Sequence, residues 1–168
     1  MRTKATMAIA AVMALLLGWQ HFNGGVPSHH LLADPSLPQL SNWWGLLTLP
    51  LLAWFLLGRI ERRRRADPVA PHGDSAAFAG ALVFGAVLSL LFTAGRDDAT
   101  GIMAQAVFVI ALFYPVHRAA CVLGFVIGMS WTFGAVLPMI AAGVFAAGGA
   151  AIYYGVRFIY SRLLVLRR

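Results

Sequence analysis

Residues 119–156 constrain this chain more than any other stretch: 38 consecutive positions carry no charged side chain. As one α-helix they would reach roughly 57 Å, about twice the hydrocarbon thickness of a bilayer, so the segment has to turn back on itself. Gly134 and Pro138, close to Ser130-Trp131-Thr132, are the helix-breaking residues at its centre. They predict one span over 119–135 and another over 138–156.

Four further apolar runs precede this pair, at 5–20, 43–58, 75–94 and 99–114. Only 11% of the 168 residues are charged, against about 25% in an ordinary soluble domain. The expected fold is therefore all-α: one domain, 1–168, a bundle of six transmembrane helices. Arg2 and Lys4 ahead of the first run resemble a signal peptide, but Gly18-Trp19-Gln20-His21 lacks a small-residue cleavage site, so this run reads as an uncleaved span. Pro50 is placed to kink the second span, and the arginines from Arg59 to Arg65 should end it. Residues 66–74, with Pro68, Pro71 and Gly73, read as a loop, and the cytoplasmic basic segment covers 59–74. Tyr114-Pro115-Val116-His117-Arg118 reads as an ordinary basic turn, and 157–168 as a basic amphipathic tail.

Charge asymmetry orients the bundle. With six crossings, Arg2, Lys4, Arg59, Arg62 to Arg65, Arg118, Arg157, Arg162, Arg167 and Arg168 share one face, and Arg96 is the exception among 13 basic residues. Basic residues collect on the cytoplasmic side of spans. Both termini are thus expected in the cytoplasm, in a bacterial inner membrane. The net charge of +7 follows from this flanking pattern. No basic groove with interleaved aromatics is visible, and nucleic acid is excluded as a partner.

The outer loop, 21–45, is the longest polar interruption on the opposite face. Asn23-Gly24-Gly25 is turn chemistry, and Ser28 could cap a short helix over 29–34 that Pro35 and Pro38 stop from extending. On such a helix His30 and Asp34 share a face, and the carboxylate could hold the imidazole in one tautomer. His21, His29, His30, Asp34, Trp43 and Trp44 are the candidate ligand or partner residues. His29, His30, Asp97 and Asp98 are the candidate ligands for a divalent metal such as zinc, because imidazole with carboxylate suits that ion. Trp43-Trp44 also suits an interfacial anchor, and Asp97-Asp98 also suits a helix N-terminus. On the cytoplasmic side, Arg62, Arg63, Arg64 and Arg65 are candidates for anionic lipid head groups.

No ionisable residue falls in the middle of a span, which disfavours a proton- or ion-coupled carrier. Gln105, Ser89, Thr93, Ser130 and Thr132 are the main polar residues there, and helix–helix hydrogen bonds can satisfy each. Gly124 with Gly128, and Ala81 with Gly85, are small-residue pairs that let helix backbones approach closely. The string Phe84-Gly-Ala-Val-Leu88 recurs at Phe133-Gly-Ala-Val-Leu137. In a Gly/Ala/Val/Leu-rich alphabet this reads as coincidence rather than a duplicated hairpin.

The expected function is that of a small accessory or binding protein of the inner membrane, whose periplasmic His/Asp/Trp loop takes a partner, a lipid or a metal ion. Beyond the bilayer, its expected partners are another protein or further copies of itself. One alternative is a membrane-embedded hydrolase or transferase using His30 with Asp34; another is a channel or facilitator for a small neutral solute. The topology is directly testable. A cysteine placed at Ser36 should react with an impermeant thiol reagent added from the periplasm, and one at Asp67 should not. Labelling at Asp67 from outside would refute six crossings.

Overall fold

A computed structural model describes residues 2–30, 36, 39–67 and 70–166, with the side chains of 29, 30, 70–72 and 164–166 left out of the description. Among the described residues there are six α-helices and one small hairpin. The helices are α1 (Arg2–Phe22), α2 (Gly45–Ala66), α3 (Ala70–Thr93), α4 (Asp97–Phe113), α5 (Ala119–Phe133) and α6 (Val136–Leu166). Strands β1 (Ser28–His30) and β2 (Gln39–Ser41) pair antiparallel between α1 and α2, with His29 opposite Leu40 and His30 opposite Gln39. Four helices are long and apolar enough to cross a membrane: α1, α2, α3 and α6. Helix α5 is apolar but shorter. Large apolar side chains point outward along the bundle, among them Leu15, Leu47, Leu51, Leu90, Ile102 and Val144. Such a surface fits lipid better than water.

The apolar runs become helices with three informative departures. Helix α2 continues through Pro50 and through the arginine run to Ala66. Arginine and glutamate are good helix formers, so the charges mark where hydrocarbon ends, not where the helix does. Helix α3 starts at Ala70, inside the expected loop, with Pro71 in its first turn, where a missing N–H leaves no bond unmade. The expected helix over 29–34 is not formed at its start: His29 and His30 lie in β1. Pairing with β2 satisfies that backbone in a ladder the local cap signal at Ser28 did not anticipate. Leu31 to Asp34 lie outside the described residues.

The reversal in the uncharged segment falls at Gly134, which has φ +64° and ψ −161°, a conformation open to glycine and strained for other residues. Phe125 of α5 meets Phe145 of α6 with ring centroids 5.5 Å apart. These rings lie at similar distances before and after Gly134, as a hairpin requires. Asn42, 3% exposed, seals the reversal. With its amide nitrogen facing the Phe133 carbonyl (3.1 Å) and its oxygen facing the Gly134 N–H (3.3 Å), both groups are satisfied. The Ser41-Asn42-Trp43-Trp44-Gly45 string is therefore a fastening. The Ser41 hydroxyl accepts from the Trp43 N–H (3.4 Å), and buried Gly45 leaves room for Met13 of α1.

The closest helix contact is α3 against α5. A Cβ at Gly124 would strike the Phe78 carbonyl, and one at Gly128 the Leu82 carbonyl; one at Gly85 would lie 2.6 Å from the Phe125 carbonyl. The small-residue pairs thus serve close backbone approach. Helix α1 runs antiparallel to α2, with the Arg2 N–H donating to Glu61 Oε1 (3.1 Å) and Arg2 Nε to the Trp54 carbonyl (2.7 Å). At the far end Trp19 stacks on Trp131 at 6.0 Å.

The Gly134 turn gives a measurable expectation. Gly134→Ala should cost roughly 1–3 kcal/mol through backbone strain, and Asn42→Ala a similar amount by orphaning buried groups, about 1–3 kcal/mol. Both should lower the thermal unfolding midpoint in detergent. An unchanged midpoint for both would refute the reversal as described.

Candidate functional site

The richest cluster of polar chemistry lies at the basic end of the bundle. A cavity of about 470 Å³ opens there between α2, α3, the α4–α5 connection and α6. Arg59 and Arg63 line it from α2, Asp74 from α3, His117 and Arg118 from the connection, and Tyr153, Tyr154 and Arg157 from α6. Four guanidinium groups thus face one carboxylate. The volume falls in the range usual for small-molecule sites, roughly 300–1,000 Å³.

Each side chain is held in place. Asp74 is 2% exposed and pairs loosely with Arg63 Nη1 (3.7 Å) and Arg64 Nε (3.8 Å). Those distances are long for charge-assisted hydrogen bonds, and Asp74 Oδ2 is buried with no hydrogen-bond partner among the described residues. The Arg157 guanidinium sits over the Tyr153 ring at 4.4 Å, one helical turn away. Arg118 sits over Tyr114 at 5.4 Å. Stacking of this kind orients a cation without neutralising it.

His117 is the titratable centre. Its ring lies 5.7 Å from that of Tyr153 and 5.2 Å from that of Tyr154. The Tyr154 hydroxyl is 3.2 Å from His117 Nε2. With the tyrosine donating, the proton of the neutral ring belongs on Nδ1. That atom is buried and has no hydrogen-bond partner among the described residues. Burial, then Arg118 and Arg59, push the His117 pKa below its ordinary value. The ring is therefore neutral near pH 7, and the residue lines a strongly cationic cavity. Donors and cations together suit an oxyanion such as phosphate or sulfate.

The sequence candidates scatter by comparison. Arg63 lines the cavity, whereas Arg62, Arg64 and Arg65 are exposed at its margin. At the opposite end His21 and Trp43 come together edge to face, at 6.0 Å between centroids. Trp43 and Trp44 are exposed. Asp97 and Asp98 occupy the exposed first turn of α4, where a carboxylate suits a helix N-terminus. Asp34 and the side chains of His29 and His30 lie outside the described residues, so the His30–Asp34 pair does too. Among the described residues no three His, Cys, Asp or Glu side chains gather as metal ligands. Gln105 is on the exposed face of α4. Ser130 donates to the Val126 carbonyl (2.6 Å) and Thr93 to that of Leu90 (3.1 Å), both within their own helices.

Reading along the chain missed Asp74, His117, Tyr153 and Tyr154 as members of one site. One signal was present: Tyr153 and Arg157 stand four apart, on one helix face. The rest is tertiary. Compared with known proteins, the chain matches no family model, no curated protein and no solved structure.

Asp74→Ala removes the carboxylate that faces Arg63 and Arg64. Both arginines reach solvent, so the expected loss of stability is modest, about 1–2 kcal/mol rather than the larger cost of a fully buried pair. Thermal unfolding at low and high salt checks this, since salt screening should shrink the difference between variant and parent.

Proposed function

We propose that this protein is a six-span, non-catalytic binding protein of a bacterial inner membrane, with both termini in the cytoplasm. Its ligand is an oxyanion head group of the phosphate type, held in the cavity at the basic end. The observation that carries this reading is the convergence of Arg59, Arg63, Arg118 and Arg157 on one cavity that His117 also lines. Positive-inside charge supports the cytoplasmic placement of that end. It does not account for a cavity, for stacked arginines or for a buried aspartate beside them.

The periplasmic loop offers a second binding surface of partner-docking type. What favours it is the β1–β2 hairpin between α1 and α2 and the exposed His21–Trp43 pair. The basic cavity has more converging groups, so the main binding function is assigned there.

Two measurements test the assignment. Titration of the purified chain with glycerol 3-phosphate should show saturable binding, and the double variant Arg63→Gln, Arg157→Gln should weaken it by about tenfold or more, the worth of one or two charge-assisted hydrogen bonds. The pH dependence follows from His117. Its pKa lies below 6.5 in the free protein, and a bound anion would raise it, so binding takes up a proton. Affinity for methanesulfonate, which keeps its charge throughout, should then rise as pH falls below about 6.5. In His117→Gln that rise should vanish. Absence of saturable binding by both anions would refute the proposal.

A further inference from the structure

A second cavity, of about 420 Å³, lies directly beyond the first, towards the middle of the bundle. Its walls are apolar. Ala77, Gly80 and Phe84 line it from α3, Ile110 from α4, Phe125 from α5 and Phe145 from α6. The two cavities share a partition in the chain. Tyr114, Val116 and Cys121 face the apolar one, while Pro115, His117 and Ala120 face the basic one. On α3 the same division falls between Asp74 and Ala77. Small residues on α3 and α6 make the room, and Phe84, Phe125 and Phe145 close the inner end in a chain of ring contacts at 6.3 and 5.5 Å. Ala76 and Gly80 are exposed, so the cavity opens sideways to what would be the bilayer. From Ala76 to Phe84 the groove follows α3 for about 12 Å.

We infer that the two cavities form one site for a single membrane lipid with a phosphate head group, its head among the arginines and one hydrocarbon chain in the apolar groove. This deepens the head-group reading above and rests on it. The occupant is argued from adjacency: a cationic chamber beside an apolar groove that is open along its side matches an anionic amphiphile, whose chain can enter the groove from the side, and a soluble phosphate would leave the groove unused.

Gly80 gives a clean probe, because a Cβ there meets nothing within 4 Å. Gly80→Phe should fill the groove without disturbing the helices or the basic cavity. The purified full-length chain, in one nonionic detergent, is titrated with glycerol 3-phosphate and with dodecyl phosphate. Comparing variant with parent in the same micelle cancels partition of the alkyl chain into detergent. The expected result is a loss of about tenfold or more for dodecyl phosphate, because a filled groove no longer admits the chain beside a docked head, with glycerol 3-phosphate unchanged. Ala146→Leu approaches the groove from α6 and should reproduce the pattern if Gly80→Phe unfolds, as judged by circular dichroism. Arg63→Gln with Arg157→Gln should weaken both ligands. If both fillers leave dodecyl phosphate binding intact while glycerol 3-phosphate still binds, the lipid inference is overturned and the site takes a soluble phosphate. If neither ligand binds the parent, the head-group reading itself falls. If dodecanol binds as tightly as dodecyl phosphate, in competition with it, the groove takes hydrocarbon independently of the arginines and the single-site inference is overturned.

Discussion

The seam between α3 and α5 is the contact on which the rest of this structure depends. In a hydrocarbon setting helices gain nothing by hiding apolar surface from lipid, so close packing has to hold them. Gly124 and Gly128 supply it by letting the carbonyls of Phe78 and Leu82 lie against the α5 backbone. Helix α5 buries Ala120, Leu123, Gly124, Phe125 and Val126 among others, and forms much of the interior surface. Its two ends are then fixed points. At one, Gly134 reverses the chain under Asn42. At the other, the connection from Tyr114 to Arg118 is held against α6 and carries His117 into the basic cavity. Displacing α5 would move both the reversal and the site.

The basic end presents an electrostatic problem that the aromatic residues help to solve. Guanidinium groups crowded at one end repel one another, and Asp74 is the carboxylate lining their cavity. Stacking disperses them over fixed rings: Arg2 lies over Trp54 at 3.8 Å, Arg157 over Tyr153 at 4.4 Å and Arg118 over Tyr114 at 5.4 Å. Each such contact contributes roughly 0.5–1 kcal/mol at an exposed position. Arg2 is further tied by its bonds to Glu61 and the Trp54 carbonyl and so belongs to the scaffold. Burial of Asp74 beside Arg63 and Arg64 sets two of the remaining charges, while burial first, and then the nearby Arg118 and Arg59, keep His117 neutral. An anion entering the cavity would relieve that repulsion, which gives the arrangement its binding sense.

How much of this was legible from the chain can be judged residue by residue. The reversal at Gly134 was, because an uncharged run too long for one crossing leaves few places to turn. Close backbone approach at Gly124, Gly128 and Gly85 was, because small residues four apart suit it in an apolar helix, whereas the pairing of α3 with α5 was not. The recurring Phe-Gly-Ala-Val-Leu string shows the limit. From Phe84 to Leu88 it lies wholly in α3, whereas from Phe133 to Leu137 it contains the break between α5 and α6. Gly85 is helical against Phe125, while Gly134 has a positive φ beneath Asn42. Neighbours in space, not the string, decide between these outcomes. The strand at His29 and His30 was hidden for the same reason, since its partner, Gln39 to Ser41, lies further along the chain, past a sequence with its own turn signals at Pro35 and Pro38. The basic cavity was hidden because its members come from four separate segments. Each segment reads by itself as positive-inside charge or a turn.

The connection between α4 and α5 contributes to the walls of both chambers. It is short, and successive residues face different chambers: Pro115 and His117 the basic one, Tyr114 and Val116 the apolar one. Such alternation places a polar wall and an apolar wall back to back in one short segment. A soluble anion site would need the first wall and not the second; a groove for hydrocarbon would need the second and not the first. Val116 packs closely against Gly149 of α6, and His117 meets Tyr154 one turn further along the same helix. Helix α6 therefore fixes both walls at once, and the two chambers stay aligned only as long as it stays docked on the connection.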